Sequence, residues 1–152
     1  GLYLDAVGEV PTGALIRLCF KLRKAVYLPV VRSVNQPLSW SRITRHQWQN
    51  QRMMKHRFGM KQPLLQRGVS VKVIDCLFMP LVGFDLNGHR LGMGGGFYDR
   101  TLASVATTGK HQTKPWRIGL AYDFQRVDKL HTNHWDIPLH AIVTPSGYRR
   151  FK

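Results

Sequence analysis

The sequence predicts an α/β fold in which a mostly parallel sheet is flanked by helices. Short apolar clusters recur at residues 1–4, 25–31, 73–79, 118–122 and 141–144. Their length, and the Pro, Gly or Asp residues that bound several of them, are typical of buried strands. Helical patterns lie between some of these clusters. Strands that alternate with helices favour a three-layer, Rossmann-like arrangement.

Two segments predict helices. In residues 12–24 the apolar residues recur at helical spacing: Leu15, Ile16, Leu18, Cys19 and Leu22. Thr12, which follows Pro11, is a candidate N-cap for this helix. The second helix is predicted to begin in a glycine-rich run and to continue through Tyr98, Leu102 and Val105. Both helices therefore follow predicted strands, as the α/β fold requires.

The length and the charge of the chain restrict its class. A chain of 152 residues fits a single domain, residues 1–152, with a sizeable core. The formal net charge of +15 indicates a polyanionic partner, either nucleic acid or a small polyanion such as ATP or a polyglutamylated substrate. Only eight acids are present, and Glu9 is the single glutamate. The few acids are therefore candidates for specific roles.

The segment 40–61 combines basic and apolar side chains without an acid. The basic residues are Arg42, Arg45, Arg52, Lys55, Arg57 and Lys61, and they interleave with Trp40, Trp48, Met53, Met54 and Phe58. One interpretation is a surface that binds nucleic acid through charge and stacking. The other is a peripheral excursion whose aromatic residues pack on the core. The sequence leaves both open, and we favour the second.

The remaining composition indicates a cytoplasmic protein. Cys19 and Cys76 each lie among apolar neighbours, which predicts free, buried thiols in a reducing compartment. No apolar run approaches the roughly 18 residues that a membrane-spanning helix needs. His131 and His134 are three residues apart, a spacing that fits metal ligands. With Thr, Asn and Trp around them, surface histidines are the better interpretation.

The most informative segment lies at residues 80–100. It contains Gly92, Gly94, Gly95 and Gly96 between Arg90 and Arg100, with Asp85 and Asp99 nearby. Exposed backbone N–H groups of such a run form an anion-binding concavity, arginines are forked phosphate donors, and an aspartate can hold magnesium. The run follows the predicted strand 73–79, at the edge where ligands bind in α/β sheets. It matches neither a P-loop nor a dinucleotide fingerprint, yet it predicts a phosphate site. Asp85, followed by Leu-Asn-Gly, predicts a turn.

The same segment carries a family resemblance. Arg-Leu-Gly-Met-Gly-Gly-Gly-Phe-Tyr-Asp-Arg, preceded by Pro-Leu-Val-Gly-Phe-Asp, resembles the signature of the 5-formyltetrahydrofolate cyclo-ligases, also called methenyltetrahydrofolate synthetases. Further matches follow in the family's order: Leu-Tyr-Leu at residues 2–4, Gly-Glu-Val at 8–10, Val-Tyr-Leu-Pro-Val at 26–30, Trp-Asp-Ile-Pro-Leu at 135–139 and Ile-Val-Thr-Pro at 142–145. The resemblance covers nearly the whole chain.

This resemblance implies an ATP- and magnesium-dependent enzyme that converts 5-formyltetrahydrofolate, with or without a polyglutamate tail, to 5,10-methenyltetrahydrofolate. A monomer is expected. The implied ATP-binding residues are Arg90, Leu91, Gly92, Met93, Gly94, Gly95, Gly96, Phe97 and Tyr98. The implied folate contacts are Leu4, Glu9, Met93, Gly94, Gly95, Gly96 and Phe97. Arg90 and Arg100 would neutralise phosphate charge, and Asp99 and Asp136 would hold magnesium. The alternatives are a surface acid for Glu9 and a helix or turn cap for Asp136.

The chain also departs from the family pattern. Gly95 stands where many members carry lysine, and Phe97 stands where tyrosine is frequent. The family begins with a basic helix before its first strand, whereas residues 2–4 already resemble that strand, so we expect residues upstream. An inactive or truncated paralogue that binds nucleotide or folate is therefore the alternative to an active enzyme. Gln62-Pro63 resembles an element beside the folate pocket.

Overall fold

A computed structural model describes residues 1–6, 8–55, 61–64, 68–106 and 114–152. Within these ranges the chain forms, in order, α1 (Gly13–Lys21), β1 (Val26–Val30), β2 (Ser39–Ile43), α2 (Arg45–Gln49), β3 (Met53–Lys55), β4 (Lys61–Pro63), β5 (Cys76–Pro80), β6 (Gly83–Phe84), β7 (Arg90–Leu91), α3 (Phe97–Ala106), β8 (Trp116–Leu120), β9 (Ala141–Thr144) and β10 (Gly147–Arg150). Single 3₁₀ turns occur at Val71–Val73 and Asp123–Gln125. Among the described residues, no helix has the length and apolar character needed to cross a bilayer.

The central sheet is mixed. Its strand order is β10-β9-β8-β5, with β5, β8 and β9 parallel and β10 antiparallel to β9. Only Pro145 and Ser146 separate β9 from β10, which is too short for the crossover that a parallel pair needs. The fold is thus α/β, and parallel pairing is confirmed for β5, β8 and β9, whereas the strand predicted at residues 25–31 forms β1, which pairs antiparallel with β2 in a separate sheet. The antiparallel hairpins were not predicted.

The first two residues of the chain form backbone hydrogen bonds to β5 on one side and to β1 on the other. The Gly1 nitrogen donates to the Cys76 carbonyl at 2.6 Å, and the Phe78 nitrogen donates to the Gly1 carbonyl at 2.9 Å, which is the pattern of a parallel pair. On the other side, Leu2 donates to a carbonyl of β1. The residues that follow this segment, Glu9 among them, therefore leave the sheet at the same edge as those that follow β5.

Among the described residues, the core consists of two clusters. The larger is built around Trp40, Leu77, Met79 and Leu102, each 0% exposed, and full burial of one such side chain contributes about 1.5–3 kcal/mol. The smaller joins α1 to β1 and β2 through the buried residues Leu2, Ile16, Val26, Leu28 and Ile43. Together the clusters hold α3 and α1 against the strands whose ends carry the predicted site.

The helix predictions are confirmed, with one correction at Thr12. The α1 helix begins after Thr12, but the Thr12 side chain makes no cap hydrogen bond. Its hydroxyl instead donates to the Tyr3 carbonyl at 2.6 Å and bonds to Asp5 at 3.3 Å. Thr12 is fully buried, so its hydroxyl is used to fix the preceding loop rather than the helix end.

The basic segment 40–61 contains a buried aromatic ring, the indole of Trp40. Trp40 is 0% exposed and belongs to the larger core cluster, and Trp48 packs against the smaller one. A buried indole is not available for stacking on bases, so the packing interpretation of this segment is favoured over a nucleic-acid surface. Arg57 and Phe58 lie outside the described residues.

The two cysteines are free, as predicted, but half-buried rather than buried. Burial raises the pKa of both Cys19 and Cys76. A raised thiol pKa keeps the neutral form, which is unreactive.

Candidate active site

A short hairpin carries the predicted site, and a buried carboxylate shapes it. Strands β6 and β7 pair across the turn that follows Asp85, which is 0% exposed. Its carboxylate accepts hydrogen bonds from the backbone nitrogens of Asn87, His89 and Leu130 at 2.9, 3.0 and 3.1 Å and pairs with Nδ1 of His89 at 2.9 Å. Burial alone would raise the pKa of Asp85, but these hydrogen bonds outweigh it and lower the pKa. The predicted turn is confirmed, and its end places Arg90.

Arg90 joins three segments of the chain. Its Nη2 donates to Oδ1 of Asp99 at 2.8 Å, and its Nη1 donates to the Ile137 carbonyl at 3.0 Å. The Ile137 nitrogen in turn donates to the same Asp99 oxygen at 3.2 Å. The Arg90 side chain is only 6% exposed and that of Asp99 is 23% exposed. Strand β7, the first turn of α3 and the segment before β9 therefore meet at one ion pair.

The glycine run lies open to solvent between Arg90 and α3. Residues 92–95 are exposed, and a Cβ atom added at Gly92 or Gly94 would meet nothing within 4 Å. Gly94 and Gly96 have φ values of 84° and 61°, a conformation that other residues rarely adopt. Helix α3 begins directly afterwards at Phe97. The free N–H groups of a helix N-terminus favour anions, so the run leaves accessible space at an anion-attracting helix end.

Arg100 forms a hydrogen bond to the backbone of the glycine run. Its Nη2 donates to the Gly95 carbonyl at 2.6 Å and to the Val34 carbonyl at 2.8 Å. The guanidinium also lies 5.1 Å from the ring centre of Phe97. Its Nε is buried and has no hydrogen-bond partner in the part of the chain that the structure describes. The family resemblance implies that Arg100 neutralises phosphate charge; of its donor groups, Nη2 is bonded to the protein backbone.

The loop that carries Glu9 approaches α3. Oε2 of Glu9 accepts from the Ala6 nitrogen at 2.8 Å. Burial, and next the charge of Glu9, raise the pKa of the Tyr98 phenol, whereas Arg90 acts in the opposite direction. The Tyr98 phenol therefore lies close enough to the charges of Glu9 and Arg90 for both to shift its pKa. Glu9 and Arg90 are 81 positions apart in the sequence, and the charges of both act on Tyr98 in the first turn of α3.

Asp136 lies beside the same network and closes a turn. Its Oδ2 accepts from the Asn133 nitrogen at 2.7 Å, and its own nitrogen donates to the Asn133 carbonyl at 3.1 Å. The next residue, Ile137, bonds to Asp99. The turn-cap interpretation is thus visible in the hydrogen bonds, while the position next to Ile137 also keeps Asp136 near Asp99.

The described residues contain no group of three or more His, Cys, Asp or Glu side chains that could hold a metal ion. His131 and His134 are both exposed, and the His134 ring packs edge-on against Trp135 at 4.6 Å between centroids. A cation at Asp99 and Asp136 would therefore need further ligands from water or a bound phosphate, as is usual for magnesium.

Comparison with known proteins assigns the chain to a family. The model of the 5-formyltetrahydrofolate cyclo-ligase family matches residues 1–145. This chain belongs to that family. The resemblance read from the glycine signature is confirmed.

Cyclo-ligases of known sequence and structure are similar over most of their length. The 5-formyltetrahydrofolate cyclo-ligase of Haemophilus influenzae is 40% identical over 151 residues, which cover 93% of this chain and 73% of the relative. The Escherichia coli K12 enzyme of the same name is 40% identical over 148 residues, covering 95% and 76%. The solved 5,10-methenyltetrahydrofolate synthetase of Aquifex aeolicus superposes with a TM-score of 0.74 at 31% identity, covering 99% of this chain and 70% of that one.

In this member of the cyclo-ligase family, two of the residues predicted from the sequence are bonded to each other, and the neighbour of a third, Ile137 beside Asp136, bonds to the same carboxylate. Arg90 and Asp99 are in contact. Leu91 and Met93 are exposed beside the glycine run, with 52% and 82% of their surface accessible. Leu4 is half-buried and lines a separate cavity.

Sequence reasoning missed the groups that hold this arrangement. The sequence indicated only a turn at Asp85. A lone acid before Asn-Gly, in a chain poor in acids, could also have indicated a buried carboxylate that fixes the turn. The backbone groups of Ile137 and the Val34 carbonyl carry no side-chain signal. Their roles appear only once the chain is folded.

Proposed function

We propose that this chain converts 5-formyltetrahydrofolate to 5,10-methenyltetrahydrofolate, with ATP converted to ADP and phosphate. The observation that carries the proposal is the Arg90–Asp99–Ile137 network beside an exposed glycine run at the start of α3. Such an arrangement provides fixed positive charge and free N–H donors where a phosphate can enter. Membership of the cyclo-ligase family supplies the substrate class.

The reaction requires activation of a poor electrophile. The formyl group on N5 is an amide, and its oxygen is a poor leaving group. In the proposed reaction that oxygen takes the γ-phosphoryl group of ATP, and ADP leaves. The folate N10 then bonds to the formyl carbon and gives up its proton, the carbon–oxygen bond breaks, and phosphate departs. The first step makes its main demand on positioning and charge neutralisation.

The residues of the glycine run would act mainly by binding and orientation. The backbone N–H groups of residues 92–96 and of the first turn of α3 would cradle the phosphates. Arg90, held by Asp99 and by the Ile137 carbonyl, would present its charge without reorganising during the reaction. Arg100 would act indirectly, because its bond to the Gly95 carbonyl keeps the run in place.

Asp99 and Asp136 have the oxygen donors that magnesium prefers. In each carboxylate, one oxygen makes no hydrogen bond within the described residues. When bound, magnesium would neutralise negative charge on the nucleotide phosphates. The protein's part is to keep the two carboxylates near the glycine run, which the bond from Ile137 to Asp99 achieves.

The folate would bind between the Glu9 loop and the glycine run. A carboxylate at Glu9 can accept hydrogen bonds from the N–H groups of a pterin edge, and the exposed Met93 and the half-buried Leu4 offer apolar contact. This assignment assumes the three-layer, Rossmann-like arrangement predicted from the sequence, in which ligands collect at the carboxyl ends of the parallel strands.

The test is a direct assay. Protein expressed together with any coding sequence that precedes residue 1 is mixed with MgATP and 5-formyltetrahydrofolate, and the methenyl product is followed by its near-ultraviolet absorbance. We expect product formation that requires both ATP and magnesium. Folded protein that yields no product, while the E. coli relative does so in the same assay, would refute the proposal.

A further inference from the structure

The loop that carries Glu9 is closed at its base by two buried side chains, Tyr3 and Thr12, which have no part in the proposed phosphate and metal sites. Tyr3 is 3% exposed and Thr12 is 0% exposed. Oη of Tyr3 donates to the Val10 carbonyl at 2.8 Å, and the Thr12 hydroxyl donates to the Tyr3 carbonyl at 2.6 Å. The residues on either side of Glu9 are therefore joined by two hydrogen bonds that are at least partly shielded from water.

Asp5 adds a third link across the base of the loop. Its Oδ1 accepts from the Thr12 nitrogen at 3.1 Å. Within the loop, the Ala6 nitrogen donates to Oε2 of Glu9 at 2.8 Å, and the Glu9 nitrogen donates to the Ala6 carbonyl at 3.1 Å. One carboxylate oxygen of Glu9 is thus held by the loop, and the other makes no hydrogen bond within the described residues.

Thr12 gives up a favourable local role to make these bonds. It occupies the N-cap position of α1, where a threonine side chain usually accepts from an N–H group of the first turn. Here the side chain makes no such bond, and the backbone has φ −100° and ψ −6° instead of an extended conformation. Departures from local preference are expected where function constrains the chain. The conformation of Thr12 therefore serves the loop and not the helix.

The charge of Glu9 reaches both Tyr3 and α3. Burial, and next the charges of Glu9 and Asp5, raise the pKa of the Tyr3 phenol, so its hydroxyl keeps the proton that it donates to Val10. Glu9 also raises the pKa of Tyr98, in the first turn of α3. The side chain that closes the loop and the helix that follows the glycine run thus lie within range of the same carboxylate.

We propose that Tyr3 and Thr12 are positioning residues that hold Glu9 in the conformation that binds the pterin edge of the folate. This inference rests on the proposed function. A loop that becomes ordered only on binding subtracts its ordering cost from the affinity. Because the hydrogen bonds of Tyr3 and Thr12 fix the loop in advance, the free oxygen of Glu9 is presented to the ligand without that cost. Neither positioning residue needs to touch the folate.

A double-mutant cycle between Tyr3→Phe and Glu9→Gln tests the assignment. The Kd of 5-formyltetrahydrofolate is measured by calorimetry without ATP, and KM is measured for each substrate with the other saturating. Tyr3→Phe keeps the buried ring and removes only the hydroxyl. We expect Kd and KM for the folate to rise about three- to tenfold, which corresponds to one hydrogen bond, and KM for ATP to stay unchanged. In the Glu9→Gln background, Tyr3→Phe should have little further effect, because coupled residues are not additive.

Two further changes separate positioning from a general loss of packing. Thr12→Ser keeps the hydroxyl and should keep the folate affinity, whereas Thr12→Val keeps the shape without the hydroxyl and should weaken binding as Tyr3→Phe does. Tyr27→Phe is the matched control, since it removes the hydroxyl of a half-buried tyrosine on β1, outside the loop, and should leave Kd unchanged. Thermal denaturation of every variant verifies that it folds, and the Thr12 pair replaces Tyr3→Phe if that variant does not.

Additive effects of Tyr3→Phe and Glu9→Gln, or equal rises in KM for folate and ATP, would overturn the inference, since a loosened fold would produce either. Unchanged folate binding in Glu9→Gln would also overturn it, while the proposed reaction would stand if turnover persisted. Unmodified protein that binds folate without turnover would refute the proposed function, and the cycle would then be decided from Kd. Absence of both binding and turnover would refute both.

Discussion

The guanidinium of Arg90 and the carboxylate of Asp99 lie 2.8 Å apart and share the backbone of Ile137 as a third partner. The pair links the hairpin before the glycine run with the helix after it. Because charge-assisted hydrogen bonds are shorter and stronger than neutral ones, the run is tethered at both ends. The geometry of the run therefore depends on this pair.

Asp99→Asn should lower activity far more than stability. Asparagine keeps an oxygen for Ile137 but removes the charge that holds Arg90 and one proposed magnesium ligand. We expect kcat/KM to fall by about 10²–10³-fold, the range seen when one preorganised hydrogen-bonding group of an active site is removed, and the magnesium concentration for half-maximal rate to rise. The measurement is the steady-state rate at several magnesium concentrations, with thermal denaturation alongside.

The exposed carboxylate Asp128 provides the control. Asp128→Asn makes the same chemical change at a carboxylate that takes no part in the ion pair, and it should leave both the rate and its magnesium dependence unaltered. An Asp99→Asn enzyme with the normal magnesium dependence would contradict the metal assignment, whatever its rate.

Asp85→Asn should destabilise the hairpin. The amide nitrogen of asparagine would replace one carboxylate oxygen, so it would face the N–H donor of Leu130 at one oxygen position, or those of Asn87 and His89 at the other. Leaving buried donors unmatched costs about 1–3 kcal/mol, and we expect a loss of that size in the free energy of unfolding measured in urea. Unchanged stability would mean that the turn does not depend on the buried charge.

Gly96→Ala should disturb the glycine run through its backbone. The φ value of 61° at Gly96 is unfavourable for alanine, and the new Cβ would lie 2.8 Å from Nη1 of Arg100. The left-handed conformation alone costs a residue with a Cβ about 1–2 kcal/mol. We therefore expect KM for ATP to rise about tenfold, measured at saturating folate.

Gly92→Ala is the matched comparison for this change. A Cβ atom at Gly92 meets nothing within 4 Å, and Gly92 is not among the residues with positive φ. Its effect on KM should be clearly smaller than that of Gly96→Ala. Equal effects would indicate that added bulk toward the ligand, rather than backbone strain, controls ATP binding.

The fold could be predicted where local pattern and burial agree. The strands β1, β5, β8 and β9 and the helices α1 and α3 each have an apolar pattern that burial then satisfies. The hairpin strands β6 and β7 are only two residues long, too short to produce a periodic signal. β10 is exposed along its whole length, so its sequence has no buried face to reveal it.

The identities of the candidate site residues could be predicted from the sequence, but the hydrogen bonds that position them could not. Glycines, arginines and scarce acids mark chemistry that depends on side-chain type, and the sequence shows those directly. The roles of Arg100 and Asp85 depend on backbone partners that are distant in sequence, at Val34 and Leu130. A backbone carbonyl or N–H group is present at nearly every residue, so no sequence pattern identifies which of them bonds to Arg100 or Asp85.

His140 should make the stability of the protein depend on pH. Burial, with the nearby charges of Arg117 and Arg150, lowers the pKa of His140 from 6.5 to about 4. The ring also stacks on Trp116 at 4.3 Å and accepts a hydrogen bond from the Arg117 nitrogen through Nδ1 at 3.0 Å. Protonation would break that bond, so the folded state favours the neutral ring.

The sign of the effect follows from the two pKa values. Between pH 6.5 and about 4 the unfolded chain binds a proton at His140 that the folded chain does not, so stability falls as pH falls through this window. Because the ring is partly exposed, we expect a loss of about 1–2 kcal/mol rather than the full value of the shift. Urea unfolding at pH 7 and pH 4.5 measures it. His140→Gln should reduce the difference between the two pH values, whereas the exposed His131→Gln should retain it. An unchanged difference in His140→Gln would show that another group controls acid stability.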